Sequence, residues 1–513
     1  MDAIQVETAD GSVRGADDHG VWVFKGVPYG ADTGGEWRFR PPRAAIPWVN
    51  VRDCLEYGPS CPQMTVEQMI GHSIGDEGQK MMGVLSAEPS MSEDCLVLNV
   101  WTPKVDATAK LPVLVWLHGG GWSTGSASWP LYYFDNLARH QQAVVVGINH
   151  RLGILGFLDL SHLGEEFADS GNVGMLDVVA ALEWVKANIS AFGGDASRVT
   201  VFGESGGGLK TTALLGMPAG RGLFHNAIAM SGSMMAAQLP EQARETTEAV
   251  LEHLGVGAEA EKLQALEVNR LVEAELALNQ RGGLMMGGRS LSPVLGPSLP
   301  EHPEVAIRAG LARDVTVVSG CTTDEVLSFL AADPELWQLT EQGLRDRLQL
   351  MLGDNTDAVL RAYKTMEPDE SPTSLLIDIL TANATVVPHI RLAEAKIEGG
   401  GAPAYFYQFA WGQPDPAGRL RAGHGSDMPY FFDNVDKAPI AAGPHAGPLV
   451  ATMCGAMGAL SHNNDPNHES MPHWPRYTLD QRATMFFDVP SRVENDPFSA
   501  ERRFWEDLSG SGL

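Results

Sequence analysis

Little in this sequence suits a disulfide-stapled, membrane-spanning or nucleic-acid-binding protein. Only five cysteines occur in 513 residues, at Cys54, Cys61, Cys95, Cys321 and Cys454. They are too few and too scattered for a disulfide scaffold, and none stands in a C-x-x-C pair of the kind that holds zinc. Basic residues are scarce, with 36 Lys and Arg against 64 Asp and Glu, a formal charge of -28. Such a surface repels polyphosphates and anionic lipid. No apolar run approaches the roughly 18 residues that a membrane helix needs. The first residues, MDAIQVETADGSVRG, have neither a basic start nor an apolar stretch of the signal-peptide kind. The expectation is a cytoplasmic chain with no nucleic-acid and no membrane partner. Internal repeats, low-complexity tracts and Pro- or Ser-rich linkers are also missing, so nothing divides the chain into independent units.

What is present is an α/β pattern. Short apolar runs at 111–117, 143–148, 199–202 and 315–318 are each followed by glycine-containing turns. Runs of this kind read as strands buried on both faces of a parallel sheet. Between them, Met175, Val178, Leu182, Val185 and Ile189 step by three and four, which predicts an amphipathic helix lying on that sheet. Residues 334–397 are richer in helix formers and predict a helical subdomain set within a single catalytic domain spanning 1–513. Near the end, SHNNDPNHESMPHWP carries His462, His468 and His473 in what reads as a surface loop. Metal ligation is the alternative there, but no helical or hairpin spacing supports it.

The chemistry is concentrated in VTVFGESGGG, residues 199–208. A bare G-x-S-x-G recurs by chance in glycine-rich chains. Here a β-branched run enters Gly203-Glu204-Ser205-Gly206-Gly207 and the helix-compatible LKTTALL follows, which is the strand-turn-helix setting of a nucleophile elbow. The turn leaves no room for side chains beside the serine, so Ser205 is expected above the sheet, at a helix N-terminus that favours developing negative charge. A serine attacks only once a base takes its proton, and the resulting oxyanion needs donors. LVWLHGGGW, residues 114–122, offers a glycine loop leaving a buried strand. Gly120 and Gly121 are the expected donors, joined by the amide of Gly206.

With these motifs on the page, the chain resembles the type-B carboxylesterases, the family of cholinesterases, some lipases and bacterial para-nitrobenzyl esterases. The resemblance begins at FKGVPYG (Phe24) and RFRPP (Arg38) and runs through SEDCLVLNVWTP (Ser92), the HGGGW loop and INHRLGILGFL (Ile148). It continues through the elbow to HGSDMPYFF (His424) and WPRYTLDQRATMFF (Trp474). It implies an α/β-hydrolase fold, a large mostly parallel sheet flanked by helices, with the helical subdomain over the active site. It also implies an acid and a base that spacing alone does not identify. The acid of the family's G-x-x-x-D-E-G signature falls on Glu325 in DVTVVSGCTTDEV, with Asp324 as its competitor. The histidine of H-G-x-[DE] falls on His424. The order Ser205, Glu325, His424 is the one this fold uses. Val326 replaces the family's glycine after the acid, and Gly206 replaces its usual alanine after the serine, which predicts a changed turn and a looser oxyanion hole. Glu204 and Ser231 fall on supporting positions around the three residues.

The same resemblance pairs Arg38 with Glu93 and Arg151 with Asp177 as buried ion pairs. It also matches Cys61 and Cys95 to the family's first disulfide, which a cytoplasm would leave reduced. It implies no metal and no cofactor, and a small-molecule ester as substrate; monomer and homo-oligomer both stay open. The segment between Cys61 and Cys95 holds five methionines and no Trp, Tyr or Phe. It offers no aromatic face for a quaternary ammonium, whereas methionines adapt to irregular apolar shapes. Neutral or hydrophobic small esters are therefore expected. A lipase, an amidase or carbamate hydrolase using the same three residues, and a non-catalytic binding protein are the alternatives. An unperturbed imidazole as base predicts activity that rises through roughly pH 6 to 7.

Overall fold

The computed structural model describes residues 3–65, 68, 90–282, 291–331, 333–412, 419, 421–438 and 441–510. Thirteen strands form one sheet among them: β1 (Ala3–Thr8), β2 (Gly11–Asp18), β3 (Val21–Pro28), β4 (Arg52–Asp53), β5 (Val97–Thr102), β6 (Leu111–Leu117), β7 (Val144–Ile148), β8 (Gly194–Glu204), β9 (Asn226–Met230), β10 (Thr316–Thr322), β11 (Ala404–Phe409), β12 (Ala483–Phe487) and β13 (Arg492–Asn495). Their order is β1-β2-β3-β5-β7-β6-β8-β9-β10-β11-β12-β13, with β4 beside β2. From β7 to β12 every pairing is parallel. Antiparallel strands flank that centre on both sides.

The four apolar runs are strands because both their faces are covered. Val113, Val115 and Leu117 of β6 join one core cluster, and Leu114 and Trp116 join the other, on the opposite face. Period-2 geometry thus turns a continuous hydrophobic run into two buried surfaces. Helix α1 (Val173–Asn188) covers the first face, where Met175, Val178, Leu182 and Val185 share the cluster with β6. The amphipathic expectation for this helix is corrected, because Val173, Val179, Ala181 and Trp184 are buried as well and the helix is enclosed on most of its circumference. The second face receives the helix Ala446–Asn463, through Leu449, Met453, Met457 and Leu460.

Residues 334–397 fold as helices Glu341–Leu352, Thr356–Met366, Pro372–Thr381 and Val387–Glu398. Thr340 and Ser371 cap two of them by accepting from the amides of Gly343 and Ser374. The first three of these helices share a hydrophobic cluster that also takes in Val326, Leu327 and Trp505, whereas Val387–Glu398 packs mainly into two others. The stretch Pro372–Glu398 is long and apolar enough to cross a membrane, but 67% of its most apolar window is buried inside the protein. Its hydrophobicity is used in packing.

Arg38 and Glu93 pair through two hydrogen bonds of 2.6 and 2.7 Å. Arg151 and Asp177, both fully buried, pair at 2.7 and 2.9 Å. Cys61 and Cys95 stand as two buried free thiols, without an S–S bond. The methionine-rich segment between them lies mostly outside the described residues, which include Met64 and Met91 of its five methionines.

Candidate active site

Sheet register assembles the site. Leu117 of β6 pairs with Gly203 of β8, Glu204 of β8 with Met230 of β9, and Met230 with Gly320 of β10. The loops that follow these four parallel strands therefore leave the same carboxyl edge, where open α/β sheets place their ligands. Those loops carry the glycines after His118, Ser205, Ser231 and Glu325.

Strand β8 ends at Glu204, and helix α2 (Gly206–Leu215) starts one residue after Ser205. Ser205 sits at φ 57° and ψ -119°, a conformation L-residues rarely adopt. Strain of this kind persists only where the surroundings impose it. Here the surroundings are backbone: a Cβ on Gly203 would run into Gly207, and one on Gly207 into the carbonyl of Leu117. The hydroxyl of Ser205 is half-buried, at the N-terminus of α2.

The glycine loop meets the elbow directly. Gly120 and Gly121 have φ of +89° and +61°, which glycine adopts without penalty. The carbonyls of the loop face inward, since Thr124 and Ser123 N–H both donate to Gly120 O. Among the described residues, the amides of Gly120, Gly121 and Gly206 have no protein acceptor. A Cβ on Gly206 would collide with the backbone N and O of Gly121. The expectation of a looser hole is thereby corrected, because the missing methyl is taken up by closer approach of two main chains.

On the other side, His424 lies between two carboxylates. Its Nδ1 hydrogen-bonds Glu325 Oε2, and its Nε2 stands 3.1 Å from Glu204 Oε1. Among the described residues no hydrogen bond joins Ser205 to His424, and Glu204 Oε1, though near Nε2, makes none with it either. The second oxygen of Glu325 accepts from the Ser231 hydroxyl at 2.6 Å and from Thr322 N–H at 2.7 Å. Asp324 turns elsewhere, toward Arg421 at 3.3 Å and the Thr323 hydroxyl at 2.7 Å. Of the two neighbouring acids, Glu325 is the one that meets the histidine. Val326 is accommodated at φ -71° and ψ -14°, so the turn needs no glycine, and its side chain fills the core of the helical segment.

The charges are tightly coupled. Burial would raise the Glu325 carboxyl, but His424 and the hydrogen bonds from His424, Ser231 and Thr322 hold it below its ordinary value. Burial pushes Glu204 up to about 8, partly offset by His424. For His424, burial favours the neutral ring, yet the charges of Glu204 and Glu325 outweigh it and raise the imidazole to about 9. The pH window expected from a free imidazole is thus displaced upward.

Three contributors went unmarked in the sequence. Thr322 donates its amide to the acid, and Phe329 packs its ring 5.1 Å from that of His424. Asp427 lies buried beside the pair, held by the Tyr407 hydroxyl at 3.0 Å. The last had a signal, as the acidic residue of H-G-x-[DE]. Of the three histidines expected in a surface loop, His462 instead stands in the last turn of the helix Ala446–Asn463, because the apolar helix runs on to Asn463, and meets the Gln141 carbonyl at 2.9 Å; His468 meets the Thr452 carbonyl at 3.0 Å.

The sequence matches the family described as "Carboxylesterase family" over residues 2–505. It is 35% identical to the para-nitrobenzyl esterase of Bacillus subtilis (strain 168) over 511 residues, covering 97% of each chain. It is 33% identical to the phenmedipham hydrolase of Pseudarthrobacter oxydans, covering 93% of this chain and 94% of the other. The crystal structure of a Geobacillus stearothermophilus carboxylesterase at pH 6.2 superimposes with a TM-score of 0.85 at 35% identity, covering 98% and 99% of the two chains.

Proposed function

Because the chain belongs to the carboxylesterase family and is a carboxylic-ester hydrolase, we propose that Ser205 is its nucleophile, His424 its general base and Glu325 the acid that orients the base. The observation that carries this reading is the Glu325–His424 contact at the edge where the Ser205 elbow emerges. Glu325 holds the proton on Nδ1, which leaves Nε2 as the basic nitrogen. A substrate carbonyl entering over the elbow is attacked by Ser205 Oγ while His424 takes the hydroxyl proton. The alkoxide of the tetrahedral intermediate settles on the amides of Gly120, Gly121 and Gly206. His424 then returns the proton to the departing alcohol. Water repeats the cycle on the acyl-serine and releases the acid.

Glu204 and Ser231 support these residues. Ser231 stabilises the Glu325 carboxylate by donating to one of its oxygens, and Glu204 stabilises the imidazolium that forms in each half-reaction. We read the chain as one catalytic unit over 1–513, in which residues 334–397 form a helical subdomain that packs on Val326 and Leu327, directly after the acid. Neutral or hydrophobic small esters are the proposed substrates, without a nucleic-acid or membrane partner. A reducing, cytoplasmic setting suits the neighbouring thiols of Cys61 and Cys95.

A fluorophosphonate probe tests the assignment. It should label the wild type on Ser205 and leave a folded Ser205→Ala variant unlabelled and inactive. A panel of short and long acyl esters, with amides and carbamates alongside, reads the substrate class. Retained esterase activity in folded Ser205→Ala would end the proposal.

A further inference from the structure

Helix α2 carries a lysine where an interior helix ordinarily carries an apolar side chain. Lys210 is fully buried. Among the described residues its ammonium donates to one acceptor, the carbonyl of His118 at 3.0 Å, and no carboxylate pairs with it. That carbonyl belongs to the residue between β6 and Gly119, and it lies 3.2 Å from where a Cβ on Gly207 would stand. The lysine therefore reaches from the nucleophile's helix to the root of the glycine loop.

Two buried, neutral histidines lie near Lys210. His118 turns its Nδ1 to the Gly119 carbonyl at 2.8 Å, and His150 turns its Nδ1 to the Arg151 carbonyl at 2.8 Å. The two rings stack 4.9 Å apart at 8°. Each Nδ1 so placed is the donor, and each buried Nε2, which has no partner, is a bare lone pair. Burial and the Lys210 charge keep both rings neutral. An unpaired buried cation is costly to folding, and an apolar side chain of the same length would remove that cost.

We infer that Lys210 is a positioning residue for the oxyanion hole: it clamps the His118–Gly119 peptide so that the Gly120 and Gly121 amides face Ser205, and sets a positive charge behind them. This rests on the reading of those amides given above. Burial lowers the lysine to about 7, so a substantial fraction remains charged at neutral pH. The clamp's effect belongs to the step in which the carbonyl oxygen becomes an anion.

Lys210→Met keeps the length and removes donor and charge; Lys210→Gln keeps a donor and removes the charge. Thr212→Val, two residues along the same helix with its Oγ1 bonded to Gly208 O at 3.0 Å, controls for disturbance of the helix alone. For Lys210→Met, kcat on p-nitrophenyl acetate should fall roughly 10- to 100-fold while KM stays within about twofold. Affinity for a trifluoromethyl ketone, whose hemiketal oxygen mimics the oxyanion, should fall by the same factor as kcat/KM. The melting temperature should not drop. Lys210→Gln should lose less, and Thr212→Val should match the wild type. Wild-type kcat/KM and ketone affinity in Lys210→Met overturn the inference, as does a kcat loss without loss of ketone affinity. If Lys210→Met does not fold, the same two measurements on Lys210→Gln decide. An active Ser205→Ala variant would sink the catalytic reading itself, whereas an unimpaired Lys210→Met would sink this inference alone.

Discussion

The two halves of the candidate site are built from different materials. Around Ser205 and the glycine loop, main chain packs on main chain: Gly203, Gly206, Gly207 and Gly120 each have backbone atoms where a Cβ would stand. Around Glu325 and His424, side chains do the joining, with hydrogen bonds between residues 94 and 99 positions apart. The first half has no slack, so a single methyl disturbs it. The second tolerates change nearby, as Val326 shows by occupying a glycine position without strain.

That contrast sets the expected order of mutational effects. If Ser205 and His424 react as proposed, their removal exceeds everything else, and Ser205→Ala or His424→Ala should lower kcat on the order of 10⁶-fold. Glu325→Gln leaves the packing intact but loses the preference for the correct histidine tautomer, so kcat should fall about 10⁴-fold at unchanged KM. In the backbone-built half, Gly120→Val should lower kcat at least roughly 10²-fold, because a side chain there collides with Thr124 and turns the amide away. If Gly120→Val were harmless, the claim that this half has no slack would fail. Ser231→Ala removes one of the two donors to a single oxygen of Glu325, and steady-state assays should register a loss of about tenfold.

The smallest effect is a displacement rather than a loss. Under the proposed roles His424 must be neutral to accept the serine proton, and Glu204 and Glu325 raise it to about 9. Activity should therefore climb as pH rises from 7 toward 9, since below that range the ring is protonated. Glu204→Gln removes one of the raising charges, so the climb should begin at lower pH. A kcat/KM profile that Glu204→Gln leaves in place, or moves upward, contradicts the assignment of Glu204 as the carboxylate facing Nε2.

Legibility follows the same division. The elbow, the glycine loop and the buried strands could be read directly, because tight turns demand glycine within a few residues and a strand covered on both faces must be apolar throughout. The acid and the base were reached only through family resemblance, as Glu325 and Asp324 are adjacent and chemically alike. The register of β10 and the loop before His424 decide between them, and Arg421 takes the one left over. Helix α1 shows the opposite error, where a regular three-four spacing suggested one buried face and the packing enclosed nearly all of it.

By itself, then, the sequence determined which hydroxyl stands at a strained bend, which amides leave a strand beside it, and that both belong to an α/β sheet, because each is a matter of local backbone geometry. Only the tertiary structure decided which carboxylate meets the imidazole, that Glu204 raises its basicity, how closely Gly206 approaches Gly121, and that Lys210 reaches the root of the glycine loop. Each of these depends on distances between segments far apart in the chain, and residue spacing carries no record of such distances.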